Sequence, residues 1–372
     1  MSLYAGLISG TSMDGVEAVL LDIGNGGFQL RAATHLPYPA GIEARLRAAV
    51  ADPAATGLDE YGALDAAVGE HFAQAALKLL AIAGVGPQAV RAIGSHGQTL
   101  LHRPRAPLPF TLQIGDANRI AERTGIDVVA DFRRRDIAAG GEAAPLVPAF
   151  HAAAFGTPGH ARVIANIGGI ANITVLAADG SVGGFDTGPG NCLMDLWATE
   201  HLARPYDAGG AFAASAPVDA ALLQRLLAEP YLARRAPKST GRELFHRAWL
   251  EVQLAGRGIA PAAVQSTLCE YTAATLADAI HALPGATPGE VLICGGGAFN
   301  TELMRRLALR LPGIRVADTA SRGIAPSQVE AAAFAWLAHA FLEGHPGNLV
   351  AVTGARGPRI LGALHRGRVT PP

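Results

Sequence analysis

Leu3-Tyr-Ala-Gly-Leu-Ile-Ser-Gly-Thr-Ser-Met-Asp-Gly-Val-Glu-Ala-Val-Leu-Leu-Asp-Ile23 is the stretch on which the fold turns. An apolar run, Leu3 to Ser9, is interrupted at Gly10 to Gly15 and resumes from Val16 to Ile23, which predicts two antiparallel strands around a tight polar loop. The pattern recurs at Arg162 to Leu176, where two apolar runs flank Gly168-Gly169. Two copies, roughly 160 residues apart, predict two related α/β domains with a ligand between them. The boundary is placed near Ala130, so that residues 1–130 with 347–372 form one domain and 131–346 the other.

Outward from the first hairpin, Leu58 to Ile82 has apolar residues at helical spacing, and Gly84-Val-Gly-Pro87 stops it. A buried strand, Ala89 to Ile93, delivers Gly94-Ser-His-Gly-Gln-Thr99 at its C-terminal end. A helix over Ala117 to Arg123 and a strand over Asp127 to Ala130 lead into Asp131-Phe-Arg-Arg-Arg-Asp136. In the second half, a strand over Val182 to Phe185 runs into a loop, Asp186-Thr-Gly-Pro-Gly-Asn191, and a helix over Cys192 to Leu202. Glu290 to Cys294 reads as a buried strand, Gly295-Gly-Gly297 as a turn, and Thr301 to Leu311 as a helix with Asn300 as N-cap. Val329 to Leu342 is an Ala-rich helix carrying Glu330.

The 372 residues are 50% hydrophobic and 16% charged, enough to fill two cores and too apolar for a disordered chain. A net charge of −1 gives no reason to expect nucleic acid or an anionic membrane as partner. Of 30 basic residues, 28 are arginine; Lys78 and Lys238 are the only lysines. The uncharged run Val163 to Ala178 is too short and too polar to span a bilayer. No positive n-region or cleavage-like site opens the chain, so the cytoplasm is the expected location. Cys192, Cys269 and Cys294 are too widely spaced for a disulfide framework or a zinc site, and read as reduced thiols, at least two of them buried.

Lys238-Ser-Thr follows Arg-Arg-Ala-Pro instead of the glycines of a P-loop, and no G-x-G-x-x-G, H-E-x-x-H or G-x-S-x-G is present. The remaining glycine loops, Gly10 to Gly15 and Thr187 to Asn191, suit phosphate. Glycine lets backbone N–H groups approach an anion, and the hydroxyls of Thr11, Ser12 and Thr187 can add donors. Asp186, at a strand end beside glycines, suits a general base or a water-bridged Mg²⁺ partner, against an N-cap or loop brace. Asp14 competes with a turn-making role. His96 lacks partners at metal-ligand spacing and reads as a substrate hydrogen-bonding group or a structural imidazole. Arg133, Arg134 and Arg135 follow a buried strand, where one or two could bind carboxylate or phosphate instead of forming a solvated run. Glu330 on its Ala-rich helix reads first as solvent-facing.

Seven blocks then carry a resemblance along nearly the whole chain. They are Gly-Leu-Ile-Ser-Gly-Thr-Ser-Met-Asp-Gly (6–15), Ser-His-Gly-Gln-Thr (95–99), Gln-Ile-Gly-Asp (113–116), Asp-Phe-Arg-Arg-Arg-Asp-Ile-Ala (131–138), Asn-Ile-Gly-Gly-Ile-Ala-Asn-Ile-Thr (166–174), Gly-Phe-Asp-Thr-Gly-Pro-Gly-Asn (184–191) and Cys-Gly-Gly-Gly-Ala-Phe-Asn (294–300). Together they resemble the anhydro-N-acetylmuramic acid kinase family. The family pattern has Gly-Gly-Gln-Gly-Ala-Pro where this chain has Gly140-Gly-Glu-Ala-Ala-Pro145, so Glu142 and Ala143 depart from it.

The resemblance implies a two-domain actin-like ATPase (ribonuclease H-like) α/β fold with an interdomain nucleotide cleft. It also implies ATP and Mg²⁺ as cofactors, a homodimer, and a role in bacterial peptidoglycan recycling. The implied reaction converts 1,6-anhydro-N-acetylmuramic acid, ATP and water to N-acetylmuramic acid 6-phosphate and ADP, with Asp186 activating the water. Gly10, Thr11, Ser12, Met13, Asp14, Gly15, Val16 and Glu17 correspond to a first ATP loop. Thr187, Gly188, Gly190 and Asn191 correspond to a second, and Gly295, Gly296, Gly297 and Asn300 to an adenosine-facing segment. His96, Thr99, Arg133 and Glu330 are candidates for the sugar and its lactyl carboxylate; no metal ligand is assigned. The competing readings are another actin-like sugar or carboxylate kinase, in which Asp186 deprotonates an ordinary hydroxyl, and a nucleotide-driven switch or chaperone. A non-catalytic sugar-binding module would leave both glycine loops unexplained.

Overall fold

Strands β1 (Ser2–Ser9) and β2 (Gly15–Gly24) form the expected hairpin, in register from Ser2 opposite Ile23 to Ile8 opposite Glu17. The structure is a computed structural model and describes residues 2–367, except Thr11, Asn25, Gly26, Pro237, Arg242 and Ala286. β3 (Gly27–Pro37) continues the antiparallel ladder beyond β2. On the other side of β1, β4 (Val90–Arg103) pairs in parallel; β5 (Phe110–Ile114) folds back on β4, and β6 (Val128–Ala130) runs parallel to it. The parallel connection from β3 to β4 requires a crossover, which the long helix Leu58–Ala83 supplies.

The second sheet repeats this plan. β7 (Arg162–Ile167), β8 (Ile170–Leu176) and β9 (Val182–Pro189) form the antiparallel meander. β10 (Glu290–Cys294) and β11 (Arg315–Asp318) add in parallel on the far side of β7. A short β12 (Ala363–His365) returns to pair with β6 in the first sheet. The orders β12-β6-β4-β1-β2-β3 and β11-β10-β7-β8-β9 share one core topology, the duplicated α/β plan that the repeated hairpin predicts. Among the described residues no helix is long and apolar enough to cross a membrane. Cys269 and Cys294 are buried and Cys192 is partly so, all three as free thiols.

Each sheet has its own core. In the first unit, Leu64, Val68, Phe72 and Leu79 of the helix Leu58–Ala83 pack on Leu7, Leu20 and Ile93, all fully buried. Each such side chain contributes on the order of 1.5–3 kcal/mol of hydrophobic transfer energy. In the second unit, Leu268, Tyr271 and Leu276 of the helix Pro261–His281 join a core that includes Val163, Ile173 and Val291.

The units divide differently from the sequence expectation. One comprises Met1–Ala154 with Gln328–Pro372 and the other Phe155–Ser327, so residues 131–154 and 328–346 belong with the first sheet. The cause is packing that local patterning does not display. The Ala-rich helix Val329–Leu342 lies directly on β1 and β4: a Cβ on Gly6 would overlap the Ala331 carbonyl, and one on Gly94 the Phe334 carbonyl. Within residues 131–154, Asp136 is tied to Asn348 and Thr353, and Phe150 meets Phe28 edge-on at 5.8 Å between ring centroids.

Gly6→Ala and Gly94→Ala should therefore each lower stability by about 1–3 kcal/mol through overpacking. Gly62→Ala, inside the helix Leu58–Ala83 with open space where its Cβ would stand, should raise it by about 0.5–1 kcal/mol. Urea-unfolding midpoints of the three variants check the contrast.

Candidate active site

In the first unit the register of β4 against β1 shifts between the pairs Leu7–Ser95 and Ser9–Gln98, leaving one extra residue at His96-Gly97. This bulge, with Gly97 at φ +75°, re-aims the strand where the sequence predicted a loop. His96 is only 7% exposed; its Nδ1 donates to the Gly97 carbonyl (3.0 Å), and its Nε2 accepts from Arg133 Nε (2.9 Å). That pair of bonds requires the neutral imidazole. Burial and the facing guanidinium accordingly hold the His96 pKa well below its ordinary value.

Arg133 also donates to the Ala143 carbonyl. Burial pushes its pKa down to about 10, opposed by Glu330 and Asp136, so it stays charged at neutral pH. Arg134 and Arg135 are exposed, which fits the solvated part of the charge run. Glu330, in the first turn of the helix Val329–Leu342, has an exposed side chain with no hydrogen-bond partner among the described residues. Thr99 lies further along β4, where its hydroxyl accepts from Gln113 Nε2 (3.2 Å).

Asp136 was not singled out from the sequence, yet it organises this region. Fully buried, it accepts from Ala143 N–H (2.8 Å), Asn348 Nδ2 (2.7 Å) and the Thr353 hydroxyl (2.9 Å). Those bonds shape the loop 140–145, which presents the Ala143 carbonyl to Arg133. They also explain one departure from the family pattern. Ala143 adopts φ +53°, the left-handed region that favours glycine, and the hydrogen bonds at both its N–H and its carbonyl hold it there.

The turn after β1 behaves partly as expected. Met13 has φ +55°, its N–H bonds the Gly10 carbonyl (3.2 Å), and the Ser12 hydroxyl donates to Asp14 Oδ1 (2.8 Å). Thr11 falls outside the described residues. Val16 is fully buried, and Glu17 is engaged with His35 (2.9 Å), so neither side chain is presented to a nucleotide.

In the second unit β9 extends through Pro189, so Asp186 and Thr187 stand in a strand and not in a loop. The β8–β9 register shifts between Ala171 and Asn172, making Thr187 the extra residue of a bulge. Its hydroxyl points inward, 2% exposed, and donates to the Ala171 carbonyl (3.2 Å). The expected phosphate donors beyond it are also occupied. Gly190 and Cys192 N–H bond the Gly169 carbonyl (2.9 and 3.1 Å), and Asn191 N–H bonds that of Gly168 (2.8 Å). Gly190 is glycine because a Cβ there would strike the Gly168 carbonyl.

Residues 190–192 thus brace the β7–β8 turn, where Gly168 and Gly169 are partly exposed. Their equivalence to the turn after β1 was visible as the repeated hairpin. Gly295, Gly296 and Gly297 follow β10. Gly295 (φ +78°) and Gly297 fit against Asn166 and Ile167, while Gly296 is exposed. Asn300 caps the next helix by accepting from Leu303 N–H (3.0 Å), as predicted, and Phe299 beside it is 59% exposed.

Asp186 pairs across the ladder with Asn172, and Asn172 with Asn166, so these three side chains leave the same face of the sheet. Asp186 Oδ2 accepts from Thr240 N–H (3.0 Å), and its carbonyl accepts from the Tyr231 hydroxyl (2.7 Å). A part-buried carboxylate fixed by a backbone donor and set in a polar row can take a proton from water or a hydroxyl. Among the described residues no three His, Cys, Asp or Glu side chains cluster to hold a metal ion.

Comparison with known proteins gives one consistent result. The family described as Anhydro-N-acetylmuramic acid kinase matches residues 2–367. A protein of Xanthomonas campestris pv. campestris with that name is 52% identical over 367 residues, 98% of this chain and 97% of its own length. Relatives of the same name from Xanthomonas axonopodis pv. citri and Shewanella pealeana are 51% and 50% identical, covering 98% and 97% of this chain and 98% of each relative.

Ala143→Gly should relieve the left-handed strain and raise stability by up to about 1 kcal/mol, offset by glycine's greater chain entropy; thermal unfolding measures it. A pH effect follows from His96 and from His151, which burial pushes down to about 3. Both are neutral when folded and protonate near pH 6.5 when unfolded, so their contribution is intact above that pH and declines below it. At pH 5.5 His151 should cost about 1.4 kcal/mol relative to pH 7.5, with His96 acting in the same direction, and urea titrations at the two pH values read the loss.

Proposed function

The chain belongs to the anhydro-N-acetylmuramic acid kinase family, and from that premise we propose that it opens 1,6-anhydro-N-acetylmuramic acid with water and phosphorylates the released O6 from ATP. The observation that carries this reading is the orientation of Asp186 by Thr240 N–H on a polar strand face. Asp186 takes a proton from water as the water oxygen bonds to the anomeric carbon. The C1–O6 bond breaks, and O6 attacks the γ-phosphorus in line as ADP leaves. The products are N-acetylmuramic acid 6-phosphate, ADP and one proton. This chain's part is to position and to stabilise charge, which dominates phosphoryl transfer.

In the second unit, Gly168-Gly169 is the candidate for ATP phosphate and the exposed Gly296 side of the segment 295–300 for adenosine; in the first unit, taken by itself, the turn Gly10–Gly15 is the phosphate candidate. Mg²⁺, when bound, neutralises phosphate charge. Among the described residues no acidic cluster is present to hold it, so the ATP phosphates and water would supply most of its ligands, with Asp14 or Asp186 joining through water. In the first unit, Arg133 and Glu330 are assigned to the sugar, with the Arg133 guanidinium suited to the lactyl carboxylate. Neutral His96 holds Arg133 in place, and Thr99 remains a candidate sugar contact. A role in peptidoglycan recycling, a cytoplasmic location and a homodimer are supported by the family alone.

Incubation with 1,6-anhydro-N-acetylmuramic acid, Mg-ATP and ¹⁸O-water should give a 6-phosphorylated sugar labelled at its anomeric hydroxyl at early times. ATP loss without sugar product would defeat the reading. Asp186→Asn should keep ATP binding and lose on the order of 10²–10⁴-fold in turnover; near-wild-type turnover would remove Asp186 from the mechanism.

A further inference from the structure

The segment 231–240 contains the Lys238-Ser-Thr run that no phosphate-loop reading absorbs, and it is fastened to Asp186 at three points. The Tyr231 hydroxyl donates to the Asp186 carbonyl (2.7 Å), Thr240 N–H to Asp186 Oδ2 (3.0 Å), and Asp186 N–H to the Lys238 carbonyl (3.2 Å). Within the segment Arg234 N–H bonds the Tyr231 carbonyl (3.1 Å) in a local turn, and the Lys238 side chain reaches further back. Lys238 Nζ donates to the Leu232 carbonyl (3.0 Å) and stands 4.9 Å from the Tyr231 ring centroid and 5.7 Å from that of Phe185, the residue preceding Asp186. Both separations are within cation–π range.

The choice of lysine is itself informative. Elsewhere this chain uses arginine for its positive charges, 28 times, and its one other lysine, Lys78, is an exposed residue bonded to the His35 carbonyl. The lysine ammonium is a compact point charge that meets one carbonyl and two ring faces at once, while Arg234 also lies over the Tyr231 ring, 5.8 Å from its centroid; a planar guanidinium at position 238 would have to aim its donors differently. Burial lowers the Lys238 pKa, and the negative charge of Asp186 opposes that shift.

We propose that Lys238 is a positioning residue: its ammonium buckles the segment 231–240 shut, so that Thr240 N–H and the Tyr231 hydroxyl hold Asp186 in its working orientation. Without the buckle the segment loses the tie between Lys238 and Leu232, and the carboxylate loses the fixed direction from which it must reach the water. This inference rests on Asp186 being the general base.

The test uses the full-length protein, with Lys238→Met, Lys238→Arg, Asp186→Asn and the Lys238→Met/Asp186→Asn pair. Steady-state kinetics with Mg-ATP and the anhydro sugar are read beside hydrogen exchange over residues 231–240. Lys238→Met should lower kcat on the order of 10²-fold, as misplacement of a reacting group does, while KM for ATP changes less than about threefold. Lys238→Arg should not restore it. Added to Asp186→Asn, Lys238→Met should cost nothing further, because both act through one carboxylate. Exchange in the segment should rise in both Lys238 variants. The proposal fails if Lys238→Met keeps wild-type kcat, if it costs as much on the Asp186→Asn background, or if KM for ATP and thermal stability deteriorate in step with kcat. Should Asp186→Asn itself retain full turnover, the general-base reading falls, and unchanged exchange in Lys238→Met would then separately overturn the buckle.

Discussion

Close approach of backbone to backbone at two glycines governs the first unit. Gly6 on β1 and Gly94 on β4 let the helix Val329–Leu342 descend until the Ala331 and Phe334 carbonyls touch the sheet. Any larger residue at either position would lift the helix, and with it the features it brings to the site. Phe334 packs on the His96 ring at 4.6 Å between centroids, and Glu330 at the helix start shares the field of Arg133. The alanines of this helix serve the same end, since Ala331 and Ala335 face Gly6, and Ala338 faces Gly94 beside the Phe334 backbone. The low side-chain volume read from the sequence as an Ala-rich helix is thus the condition for a close interface.

In both units the groups proposed for chemistry stand beside β-bulges. The extra residue at His96-Gly97 in β4 and the extra residue at Thr187 in β9 each break the alternation that would otherwise fix which face a side chain takes. Around them, buried polar groups are satisfied in detail. Asp136 takes three donors from two distant parts of the chain, and Arg133 divides its donors between an imidazole and a carbonyl. Such arrays lose much of their value when one member is removed, because the remaining groups stay buried without partners.

The local parts of this architecture were legible in the sequence. Both hairpins, the helix Leu58–Ala83, the Asn300 cap and the free cysteines follow from periodicity, glycine placement and composition, all of which act over a few residues. Contacts between remote segments were not legible. Asp136 with Thr353, and Asp186 with Thr240, are 217 and 54 residues apart. No local pattern marks either, and the unit boundary was misplaced for the same reason. The second glycine loop could not be read from composition because glycine has two uses: at Gly190 it admits the Gly168 carbonyl, whereas Gly168 and Gly169 stand partly exposed at the turn.

The order of segments along the chain also bears on how the protein is made. The second unit is one continuous stretch, Phe155–Ser327, and can complete its sheet as soon as it has been synthesised. The first is interrupted, and its closing helix and β12 are translated only after the second unit. Until then one side of β1 and β4 has no cover, and the Asn348 and Thr353 donors of Asp136 do not yet exist. The N-terminal segment therefore waits on the ribosome with apolar strands exposed while the later unit folds ahead of it, an interval in which chaperone binding or aggregation competes with folding.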